Sequence, residues 1–278
     1  MKRQHLWFDI GGDRCAATLD NADGKNGDTG LLIVSGGNEI RSGAHGGQAA
    51  IAQYFAARNV PVFRYDRRGI GDSAGDNRGF PGSKDDIAAA AQAFRQHTRG
   101  ISRIIAFGNC DAASALALFH ADQFDAILLA NPWVIEPAVT TQRGADAASS
   151  SLGTAAIRAR YWARIKNPRS IIDLLTGKIN LYKLAVGIAK AAAKENTSPL
   201  ARKIASALEN TKIPVHIMLA ERDNTALTFK SAWHDAAFNT VRKSPNIALN
   251  SVDSASHSFA DANAKSWLLT QISAALEI

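Results

Sequence analysis

The feature that most constrains the fold is a regular alternation of short apolar runs with alanine-rich helical runs. Eight segments are predicted as strands: 6–10, 15–19, 31–35, 62–65, 103–107, 126–130, 215–219 and 247–252. Helices are predicted near 45–58, 84–98, 111–121, 226–238 and 260–276. Several of the strands are almost wholly apolar, as expected where helices cover both faces of a sheet. The pattern predicts an α/β protein with a doubly wound, mostly parallel, eight-stranded sheet that opens with a hairpin turned at Gly11-Gly12.

The alternation stops after 126–130. Residues 134–212 contain no convincing strand, so we expect an inserted helical cap there and a core made of 1–133 and 213–278. Residues 155–212 contain 12 Lys/Arg and three acids, a net charge of +9 in a chain whose total is +7. A solvated helical face is the ordinary explanation. An anionic membrane surface or an acidic polysaccharide are alternative partners, and the absence of a nucleic-acid motif ranks nucleic acid last.

The composition excludes several classes of protein. Only two cysteines are present, Cys15 and Cys110, which excludes a disulfide framework and a zinc ribbon and leaves at most one bridge. No run approaches the roughly 20 apolar residues of a membrane span. The start at 1–14 has basic residues but only a short apolar run before Asp9, too short for a secretory signal. We therefore expect a cytoplasmic protein without a metal or cofactor.

The strongest local motif is Gly108-Asn109-Cys110-Asp111-Ala112, between an apolar strand and an Ala/Leu-rich helix. This matches a nucleophile elbow, in which small neighbours allow a sharp turn that raises the nucleophile above the sheet. The helix N-terminus behind it favours a thiolate. A small buried cysteine in a tight β–α turn is the structural alternative. We predict Cys110 as the nucleophile.

A nucleophile elbow requires an acid and then a histidine further along the chain. Four histidines follow Cys110, and only His257 lies in a loop between the last strand and the last helix. The other three fall on predicted helices or a strand: His120, His216 and His234. Asp223 follows the preceding strand and is the favoured acid. Glu221 and Asp253 are the alternatives.

The remaining site predictions concern the oxyanion hole and the pocket. The backbone N–H of Asp111 should supply one oxyanion donor. The second should come from the Gly-rich loop after 31–35, with Asn38 favoured and Gly37 close behind, or that loop is a plain glycine turn. Three side chains are candidates for lining a substrate pocket: Arg41, His45 and Trp133. Asp66 or Arg67 should anchor the loop 66–73 behind the site.

With these motifs together, the chain resembles the α/β-hydrolase superfamily over most of its length. More narrowly, it resembles the exosortase A system-associated hydrolase 1 family. The matching phrases are Gly-Asn-Cys-Asp-Ala-Ala-Ser-Ala (108–115), Asn-Pro-Trp-Val (131–134), Arg-Tyr-Trp-Ala-Arg-Ile-Lys-Asn-Pro (160–168) and Leu-Leu-Thr-Gly-Lys-Ile-Asn-Leu (174–181). The resemblance implies an α/β-hydrolase fold, Cys, Asp and His in the triad positions, and a bacterial role linked to exopolysaccharide production and protein sorting at the envelope. It does not identify a substrate.

Three functions are consistent with the sequence. The first is a hydrolase that cleaves an ester, thioester or lactone through an acyl-enzyme on Cys110, or an acyltransferase using the same residues. The second is a non-catalytic protein that binds an acidic saccharide or lipid. The third is an accessory protein recruited to a membrane surface through 155–212, which can coexist with the first.

Overall fold

The computed structural model describes residues 1–22, 26–121, 123–136 and 197–278. Within them a single sheet contains eight strands: β1 Lys2–Ile10, β2 Asp13–Asn21, β3 Thr29–Val34, β4 Val62–Tyr65, β5 Arg103–Asn109, β6 Ala126–Ala130, β7 Val215–Ala220 and β8 Ile247–Val252. The α-helices of this part of the chain are α1 Gly47–Ala56, α2 Lys84–His97, α3 Asp111–Phe119, α4 Pro199–Glu209, α5 Asn224–Trp233 and α6 Ala262–Leu276. Short 3-10 turns lie at Ala44–Gly46, Phe80–Gly82, Ala236–Phe238 and Val241–Lys243.

The strand order is β1-β2-β4-β3-β5-β6-β7-β8. β1 pairs antiparallel with β2, and β2 pairs antiparallel with β4. Every other pairing is parallel. The prediction of a doubly wound, mostly parallel, eight-stranded sheet is therefore confirmed.

The central strands bury both faces, which explains why their sequences lack alternation. In β5, Ile104 and Ala106 face the core shared with α2, α3 and α4, whereas Ile105 and Phe107 face the core shared with α1 and α6. Successive side chains of a strand point to opposite faces, so a continuous apolar run is needed to cover both.

The strands of the opening hairpin are longer than predicted. β1 begins at Lys2 rather than at residue 6, because polar side chains on the outer half of the hairpin pair across it. Arg3 Nε donates to Asp20 Oδ1 over 2.5 Å, and His5 lies 3.2 Å from the Thr18 hydroxyl. A hydrophobicity pattern does not identify polar strand ends of this kind, because cross-strand pairs of polar side chains stabilise them instead of apolar burial.

Helix α4 falls inside the predicted insertion, but it packs into the main core. Leu200, Ile204 and Leu208 are buried on the same face of the sheet as α3. An insertion after β6 would thus end before Pro199. Most of the predicted cap and of the basic span lies in 137–196, outside the described residues.

The parallel arrangement brings six chain segments together at one end of the strands. The carboxyl ends of β3, β4, β5, β6, β7 and β8 all lie there, and doubly wound folds place their ligands at this end. The segments that leave these strands begin at Ser35, Asp66, Cys110, Asn131, Glu221 and Asp253.

Candidate active site

Cys110 occupies the turn between β5 and α3. Its backbone has φ 61° and ψ −126°, a strained conformation for a residue with a side chain. Hydrogen bonds hold this turn from both sides. The Cys110 N–H donates to Ala130 O over 2.9 Å, and the Cys110 carbonyl accepts from the N–H groups of Ser114 (3.3 Å) and Trp133 (3.2 Å). The geometry is that of the elbow which the motif predicts, with the thiol half-buried at its apex.

Two glycines are required by the close packing of this turn. A Cβ on Gly108 would lie 2.8 Å from the Ala112 carbonyl carbon, and one on Gly36 would lie 2.6 Å from the Asn109 carbonyl oxygen. Both contacts are with backbone, which cannot move aside easily. The sequence motif around Cys110 and the glycine after β3 are therefore parts of one packed unit.

His257 and Asp223 meet at the carboxyl ends of β7 and β8. His257 Nδ1 lies 3.0 Å from Asp223 Oδ2. The same oxygen accepts from the N–H groups of Thr225 (3.0 Å) and Ala226 (3.1 Å), so Asp223 is also the N-cap of α5. Because these bonds fix the carboxylate, the imidazole that binds it is oriented by the fold.

The alternative acids are engaged elsewhere. Asp253 forms an exposed ion pair with Arg222, at 2.6 Å. Glu221 accepts from the Ser251 hydroxyl over 2.7 Å and lies 3.8 Å from the Lys230 ammonium. Asp223 is the acid that the structure brings to His257.

The electrostatic surroundings of His257 favour its protonated form. Burial lowers the pKa of the imidazole, but hydrogen bonds to Asp223 and to Cys110, together with the negative charge of both partners, outweigh burial and raise the pKa to about 10. A thiol and a carboxylate on opposite sides of an imidazole can form a thiolate–imidazolium pair. Burial raises the pKa of the Cys15 thiol in β2, which disfavours its thiolate. Both cysteines are free.

The loop after β3 places Gly37, rather than Asn38, against the elbow. The Gly37 N–H donates to Asp111 Oδ1 over 2.6 Å, and the buried Arg67 guanidinium donates to the Gly37 carbonyl. The Asn38 side chain is exposed and accepts from Asn77 over 3.0 Å. The structure therefore places the Gly37 N–H beside the residue that follows Cys110, and the choice between Asn38 and Gly37 as oxyanion donor stays a prediction.

The structure separates the three predicted pocket residues. Trp133 lies beside the elbow, and its main-chain N–H donates to the Cys110 carbonyl. His45 (φ 51°) lines a cleft of about 160 Å³ with Ser258 and Phe259, next to His257 in the chain.

Arg41 is engaged in ion pairs, and its role in substrate binding stays a prediction. Its guanidinium is paired with Asp66 and Asp72 and donates to the Thr18 hydroxyl over 3.2 Å. It lines a groove that also contains Arg3 and His5, near the antiparallel end of the sheet. These ion pairs hold the loop 66–73, in which Asp66 and Arg67 act as anchors.

Sequence reasoning missed two asparagines that contact the histidine loop. Asn109 Nδ2 and Asn131 Nδ2 donate to the His257 carbonyl over 3.1 and 3.0 Å. A signal was present, since both are polar residues at the carboxyl ends of apolar strands, where ligand-binding residues gather.

Among the described residues, no helix is both long and apolar enough to cross a lipid bilayer.

Comparison with known proteins gives a fold but no close relative. No model of a known protein family matches the sequence, and no curated protein matches it. An esterase from Pyrococcus furiosus superposes with a TM-score of 0.62 at 13% identity, covering 99% of this chain and 90% of that chain. An α/β-hydrolase from Penicillium gives 0.62 at 15% identity, with 98% and 97% coverage. A proline iminopeptidase from Mycobacterium smegmatis gives 0.59 at 14% identity, with 99% and 98% coverage. At such identities the likeness establishes the fold, and the chain has the α/β-hydrolase fold.

Proposed function

We propose that this chain, which has the α/β-hydrolase fold, is an acyl hydrolase whose catalytic triad is Cys110, His257 and Asp223. The observation that carries the proposal is the position of His257. Its imidazole lies 3.0 Å from a fixed carboxylate, and its pKa is raised by that carboxylate and by the thiol at the apex of a strained elbow. A nucleophile, a base and an orienting acid in hydrogen-bonding contact are the arrangement that nucleophilic catalysis requires.

The proposed reaction has two steps. Cys110 attacks the carbonyl of an ester, thioester or lactone, and the N–H groups of Gly37 and Asp111 bind the resulting oxyanion. His257 donates its proton to the departing alcohol or thiol, and Cys110 is left as a thioester. Water then attacks this thioester with His257 as the base, releasing the acid and the thiolate. Asp223 holds the imidazole in its orientation throughout.

Transfer of the acyl group to an alcohol or amine is the close alternative. It uses the same residues and differs only in the acceptor that reaches the thioester. Exclusion of water from the site decides between these outcomes. The esterase and iminopeptidase among the structural neighbours support a hydrolytic reaction on a small molecule, through a fold shared at low identity.

A non-catalytic binding protein is the second candidate, and one observation favours it. The Gly37 N–H, which should bind the oxyanion, is already bonded to the Asp111 carboxylate. In a hydrolase this carboxylate must release the donor when substrate enters. In a binding protein, which would hold an acidic saccharide or lipid, it need not.

The experiment that tests the proposal is intact-mass spectrometry of the full chain. The protein is incubated with iodoacetamide, with a fluorophosphonate, and with a panel of p-nitrophenyl esters and acyl thioesters. We expect one adduct on Cys110 from iodoacetamide and an acyl-enzyme of matching mass from at least one substrate, neither of which forms in Cys110→Ala. Alkylation of Cys110 without any acyl-enzyme or turnover would favour the binding protein.

The biological setting rests on the sequence. The resemblance to exosortase-associated hydrolases supports a role in exopolysaccharide or envelope processes. The charge of 155–212 supports recruitment to an anionic membrane or an acidic polysaccharide through the proposed cap. Of that span, the structure describes 197–212.

A further inference from the structure

The main-chain carbonyl of His257 accepts two side-chain amides. Asn131 Nδ2 lies 3.0 Å from this oxygen and Asn109 Nδ2 lies 3.1 Å from it. The two amides also approach each other, with Asn131 Nδ2 at 3.5 Å from Asn109 Oδ1. A carbonyl oxygen has two lone pairs, so both donors can be satisfied at once.

Asn131 connects this carbonyl to the neighbouring strand. It is fully buried, and its Oδ1 accepts from the Ala220 N–H at the end of β7, over 2.9 Å. Its own N–H donates to Met218 O, also over 2.9 Å. The Ala220 carbonyl in turn accepts from the Asp223 N–H over 2.9 Å. One asparagine therefore joins the segment that carries the acid to the segment that carries the base.

Asn109 connects the same carbonyl to the nucleophile. It is the last residue of β5 and directly precedes Cys110, so the strand that leads into the elbow also carries this amide. The loop that carries His257 runs from residue 253 to 261 without helix or strand, and it needs such contacts to hold one position.

We propose that Asn131 and Asn109 are positioning residues that clamp the backbone of His257 between Cys110 and Asp223. This inference rests on the proposed function, since it assigns residues that act through the base. The reach of an imidazole is short, and a displacement of about 1 Å between reacting groups can lower a rate about a hundredfold.

The residue type at 131 follows from the geometry. The site needs a donor for His257, an acceptor for Ala220 and a left-handed backbone, since Asn131 has φ 41°. Asparagine tolerates this conformation better than most residues. An ionised aspartate lacks the donor, and alanine lacks both polar groups.

The test compares Asn109→Ala and Asn131→Gly with the wild type. Asn109→Ala removes one donor from a half-buried position. Asn131→Gly removes the other and keeps the left-handed backbone accessible. Asn250→Ala is the matched control, because its amide binds the Gln271 side chain on the surface, over 2.9 Å. Thermal unfolding of each variant separates a positioning effect from loss of fold.

Two readouts report the clamp without needing a substrate. The first is the NMR titration of the His257 ring, assigned with His257→Gln. The second is the pH dependence of Cys110 alkylation by iodoacetamide. In the wild type we expect His257 to titrate near the pKa of about 10 that its partners impose. In Asn109→Ala the pKa should move toward 6.5, and alkylation near pH 6.5 should slow about fivefold, the effect of one lost hydrogen bond.

The outcomes separate this inference from the proposed function. Lower pKa and slower alkylation in a folded Asn109→Ala, with the control unchanged, support the clamp. Profiles equal to wild type in that variant overturn it, even if Asn131→Gly unfolds. A pKa near 6.5 for His257 in the wild type also overturns the proposed clamp, because the imidazole would then not be held against Cys110 and Asp223. If both readouts support the clamp but no acyl-enzyme forms, only the proposed function is contradicted.

Discussion

The Gly37 N–H and the Asp111 carboxylate lie 2.6 Å apart, so an acidic side chain occupies the point toward which a proposed oxyanion donor is directed. Asp111 is the residue after the nucleophile, and its own N–H is the other proposed donor. The carboxylate thus stands where negative charge would develop during acyl transfer. This relationship gives the first prediction.

Asp111→Asn should raise kcat/KM for a neutral thioester by about tenfold. The amide keeps an acceptor for Gly37 but removes a negative charge that repels the oxyanion, and tenfold corresponds to about 1.4 kcal/mol. Steady-state kinetics on one neutral thioester provide the measurement. Asp9→Asn, exposed on β1, is the control and should change little. A tenfold loss in Asp111→Asn would show that the carboxylate itself assists the reaction.

Cys110→Ala should abolish turnover, whereas Cys15→Ala should leave it intact. Cys15 is fully buried in β2 and its pKa is raised by burial, so it contributes no thiolate. Cys110→Ser should fold and lose most activity, because a hydroxyl cannot be ionised before attack. Equal loss in Cys110→Ala and Cys15→Ala would contradict the assignment.

Asp223→Asn should lower kcat strongly, by up to about 10⁴-fold if His257 needs its acid as in a serine triad, and less if a thiolate–imidazolium pair forms without it. Asp253→Asn removes only an exposed ion pair with Arg222, which contributes about 0–1 kcal/mol, and should stay within twofold of wild type. Both variants are measured on the same ester. The opposite ranking would transfer the acid role to Asp253.

The stability contributed by His257 should fall as the pH rises. Its pKa in the folded protein, about 10, exceeds the value near 6.5 expected when unfolded. A group whose pKa is higher in the folded protein stabilises the fold fully when the pH is below its unfolded pKa. This contribution is lost as the pH rises from the unfolded pKa to the folded pKa. The difference in Tm between wild type and His257→Gln should therefore be largest near pH 6 and vanish by about pH 10. A difference that grows with pH would contradict the charged pairing.

The chain should bind anionic vesicles at low salt and release them at high salt. Residues 155–212 carry a net +9, and each basic residue near an anionic leaflet contributes about 1 kcal/mol within a Debye length. Co-sedimentation with anionic vesicles, neutral vesicles and an acidic polysaccharide measures this. If none of the three is bound at low salt, the charge is a solvated surface.

The sheet, most of its helices and the sharp turn at Cys110 could be predicted from the amino-acid sequence. A continuous apolar run is expected only for a strand covered on both faces, so β3, β5 and β6 could be predicted without tertiary information. The elbow could be predicted from the sequence because its requirements are local: a strand, small residues and a helix within about ten positions. The order of acid and histidine narrowed the triad to a few residues.

Which polar groups meet follows from the packing of the whole chain. Asp223, Glu221 and Asp253 lie within 32 positions of one another, and one hydrogen bond across 34 residues joins the first of them to His257. The same holds for the Gly37 N–H at the Asp111 carboxylate, for the ion pairs of Arg41, and for Asn109 and Asn131 at the His257 carbonyl. Such contacts join separate strand ends, and they depend on the direction of single N–H and side-chain groups, which local sequence patterns do not specify.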